Sequence, residues 1–155
     1  MGAERIRPPF ISDFTGISRA GFRFLQEVAK WINNRNGIVW RGDVTTDFDL
    51  TYFTTSPNAT DGAYHTISLA SIVDPGATSA YLRVSLEDNA ADSFVNFRRV
   101  GYSNEANIFR VVTQVANITI TSFGWVQLTK SATVEFKTTN TTLTTLNVTV
   151  CGWSM

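Results

Sequence analysis

Residues 81–86 read Tyr-Leu-Arg-Val-Ser-Leu, so that a branched aliphatic side chain occupies every second position. Leu82, Val84 and Leu86 share one face of an extended chain, because successive side chains of a β-strand point to opposite sides. Similar short segments recur from Ile38 to Trp153, separated by Gly, Pro, Asn and Asp. Strands at a spacing of roughly 8 to 12 residues, with no second helical pattern, predict a mainly β fold, an antiparallel β-sandwich or jelly roll.

Two segments of this β-region carry predictions of their own. Val44–Phe53 is predicted as a strand, because Phe48, Leu50 and Tyr52 alternate with aspartate and threonine. Thr138–Thr145 consists almost entirely of threonine and is predicted as a hairpin tip or a sheet edge.

The chain divides into three parts by its pattern of apolar residues. Residues 1–16 sustain neither a helical nor a strand period, and we interpret them as an extended docking arm. Residues 17–37 have the spacing of an amphipathic helix, which ends where Gly37 suits a left-handed cap. Residues 38–155 form the predicted β-domain.

The predicted arm contains two prolines and two isolated aromatic residues, namely Pro8, Pro9, Phe10 and Phe14. Consecutive prolines hold the backbone extended. Phenylalanine side chains in such a segment are unfavourable in water unless they dock on another surface. We therefore expect the arm to bind a partner protein.

The predicted helix carries a wide apolar face. Spacings of three and four residues place one set of side chains in a heptad seam: Phe22, Leu25, Ala29 and Ile32. A second apolar row lies beside it: Phe24, Val28 and Trp31. We expect the seam to be an oligomer interface while the helix also packs on its own β-domain; a helix lying on the sheet of a monomer is the alternative.

The charge balance argues against some partners. Thirteen basic and thirteen acidic residues cancel, so no positive excess favours nucleic acid or an anionic membrane. No apolar run reaches the ~20 residues of a membrane-spanning helix, and residues 1–9 lack an apolar leader core. We expect synthesis in a cytoplasm and no membrane insertion. The low charged fraction of 17% favours an oligomer, in which part of the surface is covered.

Residues suited to catalysis or metal binding are few. His65 is the only histidine and Cys151 the only cysteine, and no Gly-x-Ser-x-Gly turn presents a serine. Acidic residues cluster within 43–49 and 87–92, but without the spacing of an EF-hand loop. We interpret them as residues of strand edges and a turn, and predict a non-enzymatic protein with no cofactor and no metal site.

Two further groups of residues carry hypotheses about contacts. Trp40, Trp125 and Trp153 would stack on a sugar face if they were exposed, although tryptophan is more often found in cores. Arg98 and Arg99 are adjacent in a predicted strand and must face opposite sides. We expect them to form ion pairs with Glu87 or Glu105 rather than to bind nucleic acid.

Two stretches resemble proteins of tailed-bacteriophage virions. The first is similar to the arm-plus-helix openings of small phage fibre and head-fibre proteins: Pro-Phe and Asp-Phe-Thr within 9–15, then Phe22–Leu25 and Trp31. The second resembles the β-sandwich modules near the carboxyl ends of phage tail fibres, and it ends in Gly-Trp: 81–86, 97–99, 101, 104–107, 112–117, 134–137 and 148–153.

The resemblance implies a homotrimeric virion component whose amino-terminal arm docks on tail or capsid proteins while the β-domain projects outward. The leading hypothesis is a short tail fibre or baseplate-associated knob, with a host-surface glycan as a further partner. A capsid decoration or cement protein that uses the same arm is the first alternative. A small carbohydrate-binding module is the second. On the leading hypothesis the protein is made in the host cytoplasm and is located in the virion.

Overall fold

The computed structural model describes residues 21, 23–25, 28, 37–55, 60–139 and 142–155. The chain forms two compact units, one of residues 1–38 with Met155 and one of residues Val39–Ser154. In the first unit, the described positions from Gly21 to Val28 are helical, Leu25 among them. The predicted arm over 1–16, including Pro8, Pro9, Phe10 and Phe14, lies outside the described residues. So do Phe22, Ala29 and Ile32 of the predicted seam.

The second unit is built almost entirely from strands. In chain order the elements, of which only Ile38 falls in the first unit, are β1 (Ile38–Trp40), α1 (Leu50–Thr54), β2 (His65–Ser68), β3 (Ser79–Glu87), β4 (Phe94–Arg99), β5 (Phe109–Val112), β6 (Ile120–Gln127), β7 (Thr133–Thr138) and β8 (Thr145–Ser154).

The strands form two four-stranded antiparallel sheets. The first has the order β1-β8-β3-β6 and the second the order β2-β7-β4-β5. Within these sheets β1 lies beside β8, β2 beside β7, β3 beside β6 and β4 beside β5. The strands therefore pair as the two arms of one long hairpin would. Strands β1 to β4 form one arm, β5 to β8 form the other, and each arm contributes strands to both sheets. The prediction of a mainly β fold with antiparallel sheets is confirmed.

One hydrophobic core lies on the inner faces of both sheets. Leu82, Val84 and Leu86 are at most 1% exposed, as their alternation predicted. From the second sheet Phe97 and Phe136 are fully buried in the same cluster. Each such side chain stabilises the fold by roughly 1.5–3 kcal/mol relative to exposure.

Val44–Phe53 is not a strand, so that prediction is wrong. Only Phe48 makes a bridge, to Val148, and the chain then turns into α1. Asp49 caps this helix, since its Oδ1 accepts a hydrogen bond from the backbone N–H of Tyr52 at 3.2 Å. The helix carries Phe53 into the core against Phe136, with ring centroids 4.8 Å apart. The capping hydrogen bond of Asp49 and the burial of Phe53 together outweigh the weak alternating pattern of this segment.

The threonine-rich segment Thr138–Thr145 is not a hairpin tip either. β7 ends at Thr138 in the second sheet, and β8 begins at Thr145 in the first. The segment therefore crosses from one sheet to the other. Local composition indicated a connection, but the partner of each strand depends on distant residues.

Arg98 pairs with Glu135 instead of the predicted Glu87 or Glu105. Its Nε and Nη2 donate to Oε2 of Glu135 at 3.2 and 2.9 Å. The other carboxylate oxygen accepts the backbone N–H of Gly101 at 2.8 Å. Both side chains are largely buried, at 13% and 11% exposure. The two residues face each other across β4 and β7, a pairing that needs the register of the sheet.

We predict that Glu135→Ala lowers the free energy of unfolding by about 3 kcal/mol, because it leaves the Arg98 guanidinium buried without a counter-charge. Glu105→Ala is the matched control. It removes an exposed carboxylate and should change stability by less than about 0.5 kcal/mol. Urea unfolding measures both variants. Equal stability of the two variants would contradict the role of the Glu135 ion pair.

Candidate binding face

The outer face of the first sheet carries a cluster of aromatic side chains. Along β6 the even positions point inward, and the odd positions are exposed. Trp125 and Phe123 are two of these exposed residues, and they lie opposite Tyr81 and Arg83 of β3. Trp40 of β1 completes the cluster. We call Trp40, Tyr81, Phe123 and Trp125 the aromatic face.

Tyr81 is the centre of the aromatic face. Its ring lies 5.4 Å from Trp40, 5.0 Å from Trp125 and 6.0 Å from Phe123, measured between centroids. Trp40 and Trp125 are 6.4 Å apart. Edge-to-face, tilted and stacked contacts at these distances are favourable and hold the rings in place. Trp40, Phe123 and Trp125 are nevertheless 59%, 53% and 41% exposed, so the cluster is both ordered by packing and open to solvent.

Gly152 makes this arrangement possible. It lies opposite Tyr81 in β8. A Cβ atom at this position would be 2.6 Å from the carbonyl oxygen of Val39 and 3.0 Å from Cε3 of Trp40. Any larger residue would therefore displace β1 and the Trp40 ring. The glycine of the Gly-Trp ending therefore has a local structural reason, because it leaves room for Trp40 of the neighbouring strand β1.

Trp153 does not belong to this face, which corrects its predicted stacking role. It is 7% exposed and lies in the hydrophobic core. The register between β3 and β8 shifts at Tyr81 and Leu82, so that Gly152 pairs with Tyr81 while Val150 pairs with Leu82. The extra residue reverses the alternation after Val150 and turns Trp153 inward.

Sequence reasoning found two members of the aromatic face and missed the other two. Trp40 and Trp125 were named as stacking candidates, and the structure brings them together. Tyr81 was placed only in the predicted strand over 81–86, and no prediction was made for Phe123. The pattern of β6 carries a signal for Phe123, since it shares an outward row with Trp125. Tyr81 joins them only through the pairing of β3 with β6.

Polar groups flank the rings. Arg83 is exposed next to Phe123 in the register, and no described residue forms an ion pair with it. Ser85 and Thr121 follow in the next outward pair and share a hydrogen bond of 2.8 Å between their hydroxyls. The face thus offers ring surfaces, one cation and hydroxyl groups in consecutive rows.

Asp47 and Asp88, one from each acidic cluster of the sequence, accept hydrogen bonds within the fold. Asp47 Oδ2 accepts from Arg41 Nη1 and from the backbone N–H of Val150, each at 2.7 Å. Asp88 accepts from the Ser93 hydroxyl and from the backbone N–H of Asn89. Among the residues that the structure describes, no three His, Cys, Asp or Glu side chains are grouped as metal ligands would be.

His65 lies beside Asp61, with Nε2 of the ring 2.7 Å from Oδ1 of the carboxylate. This hydrogen bond, followed by one from the backbone N–H of Ala63, lowers the pKa of Asp61 below its ordinary value. The pair joins the loop before β2 to the start of that strand.

No family model matches this sequence, and comparison with curated proteins returned no match. Among the residues that the structure describes, none lies in a helix with the length and hydrophobicity of a membrane span.

We predict that Trp40→Phe and Trp125→Phe each lower the fraction of tryptophan emission that acrylamide quenches, because each removes an exposed indole. Trp153→Phe removes a buried indole and should not lower that fraction. Stern–Volmer quenching of the three variants measures the difference. A larger loss of quenching in Trp153→Phe than in the other two would contradict the assignment.

Proposed function

We propose that this chain is a non-enzymatic structural protein of a tailed-phage virion, a homotrimeric short tail fibre or baseplate-associated knob. The observation that carries the proposal is the aromatic face. Clustered exposed rings on an ordered sheet are typical of a surface that contacts another molecule. In this proposal residues 1–16 dock on other virion proteins, and the β-domain presents the aromatic face outward.

The strand order supports a jelly roll, the more specific form of the predicted fold. A jelly roll contains eight strands in two sheets, and viral capsid and lectin domains use it. The orders β1-β8-β3-β6 and β2-β7-β4-β5 are those of a long hairpin wrapped around one core. Such a fold buries its core in the monomer and leaves the outer faces of its sheets for contacts with partners.

Assembly into a trimer is supported by two features of the sequence. The charge balance is zero and the charged fraction low, which gives a solitary domain little protection from association. The heptad spacing from Phe22 to Ile32 supplies a seam through which symmetric helices can pack. A capsid decoration protein would use the same arm and seam, so that the location in the particle distinguishes the two functions.

We predict that immunogold labelling of virions places the protein at the tail, and that a variant lacking residues 1–16 folds but is not incorporated. The arm is proposed to supply the docking contacts, whereas the core lies within Val39–Ser154. Light scattering of the purified full-length chain should give the mass of three chains. Label on the head would favour the decoration protein. Normal incorporation of the truncated chain would reject the docking role, and a monomeric mass would reject the trimer.

Glycan recognition is the second candidate function, and the geometry of the aromatic face favours it. Trp40 and Trp125 are adjacent and exposed, and aromatic rings offer an apolar surface to the carbon-bound hydrogens of a sugar. Arg83 and the hydroxyls of the neighbouring row can bind sugar hydroxyl groups. In a virion knob this face would contact a host-surface glycan.

We predict that the protein binds oligosaccharides on a glycan array, and that Trp40→Ala and Trp125→Ala each weaken this binding by about tenfold through loss of ring contact. Val115→Ala is the control, since Val115 is exposed and apolar but outside the aromatic face. It should bind like the wild type. Thermal unfolding verifies that the variants remain folded. Unchanged binding in both tryptophan variants would remove glycan recognition from this face.

A further inference from the structure

A cavity of about 510 Å³ lies at one end of the β-domain. It is formed where β4 and β6 end and β3 begins, and its lining includes Ser79, Arg99, Gln127, Thr129 and Lys130. Small-molecule sites commonly have volumes of roughly 300–1,000 Å³. Loops at the ends of a β-sandwich are also a frequent position for binding sites.

The cavity is cationic. Arg99 and Lys130 line it, and none of its lining residues is acidic. The Arg99 guanidinium has only one hydrogen bond to a described side chain, a 3.4 Å contact from Nη1 to the hydroxyl of Tyr102. Its Nε is buried without a partner. A charge that is partly removed from water and lacks a counter-charge attracts an anion strongly.

Arg98, the residue before Arg99, has the counter-charge that Arg99 lacks. Arg98 faces the outer side of the second sheet and donates two hydrogen bonds to Glu135. Arg99 faces the other side of the same strand, toward the cavity, where no described carboxylate meets it. A ligand anion would complete an arginine–carboxylate pair at this position.

The rest of the lining suits a hydroxylated ligand. Ser79 and Thr129 contribute hydroxyls, and Gln127 contributes a side-chain amide whose Oε1 accepts from the Tyr102 hydroxyl at 2.7 Å. These groups donate and accept hydrogen bonds as sugar hydroxyls require. They are fixed by neighbours, as in the 2.6 Å contact between the hydroxyls of Ser79 and Ser154.

The cavity adjoins the aromatic face. Ser79 pairs with Gln127, and the next outward pair along the same two strands is Tyr81 with Trp125. Two residues of strand span about 7 Å. A ligand whose ring rests on Trp125 can therefore place a substituent of the neighbouring unit in the cavity.

We propose that the cavity binds the carboxylate of an acidic sugar, and that a neighbouring sugar ring stacks on Trp125 of the aromatic face. This inference rests on the proposed glycan recognition and specifies its ligand class. The planar guanidinium of Arg99 matches the geometry of a carboxylate, and Lys130 adds a second positive charge at the rim. Neutral glycans use the aromatic face alone.

The test compares three oligosaccharides of equal length by isothermal titration at about 0.15 M salt, where distant surface charges are screened. They are an oligogalacturonate, its carboxyl-reduced neutral form, and a sulfated galactan. The wild type should bind the oligogalacturonate about tenfold more tightly than the neutral form. Arg99→Gln should abolish this preference while binding of the neutral form stays unchanged. Trp125→Ala should weaken binding of both.

Two further variants separate a specific site from a general charge effect. Lys130→Gln alters an exposed rim residue and should reduce the preference without affecting the fold. Arg110→Gln removes the same charge from an exposed position in β5, on the other sheet, and should retain the full preference.

Each remaining outcome has a defined meaning. Equal binding of acidic and neutral forms by the wild type would overturn the cavity assignment and leave glycan recognition standing. Loss of the preference in Arg110→Gln, or its retention in Arg99→Gln, would also overturn it. Equal affinity for the sulfated form would reject carboxylate selectivity. Binding of none of the three would reject glycan recognition together with this inference.

Discussion

The burial of one side of β3 determines where every other side chain of the strand points. Ala80, Leu82, Val84 and Leu86 are each at most 1% exposed and lie in the core shared by both sheets. Because side chains alternate along a strand, the residues between them must face outward. Tyr81 therefore reaches the outer surface, where it becomes the centre of the aromatic face. The same constraint acts on β6, whose exposed row continues from Phe123 through Trp125 to Gln127.

The alternation of apolar and polar residues along a strand is a local pattern. Features that depend on this pattern alone could therefore be predicted from the sequence. Leu82, Val84 and Leu86 were predicted to share one face of a strand, and that face is buried. The prediction of a strand over Val44–Phe53 was wrong because the polar residues of its alternating pattern make local contacts instead. Asp47 binds Arg41, and Asp49 caps α1. Neither role is visible in a period of two residues. A helical turn can also bury an apolar residue of this segment, since Phe53 lies in the core.

The candidate site depends on non-local pairing and was therefore predicted only in part. Trp40 and Trp125 were identified by residue type, but their contact requires β1, β3 and β6 to meet in one sheet. Trp153 was misassigned because the irregular register between β3 and β8 reverses the alternation near the end of β8. A bulge inserts one residue, and its position depends on both strands rather than on either sequence. Glu135 was missed as the partner of Arg98 for the same reason.

Arg98 stabilises the fold on one side of β4, and Arg99 is proposed to bind a ligand on the other side. The buried pair of Arg98 with Glu135 is complete: two arginine hydrogen bonds and the N–H of Gly101 satisfy the carboxylate. Arg99 has no such partner in the described chain, and leaving its Nε buried and unbonded costs about 1–3 kcal/mol. An apolar residue at this inward position would avoid that cost. Proteins can retain such a cost where a binding site needs the group, and the proposed ligand carboxylate would satisfy this donor within the cationic cavity beside the aromatic face.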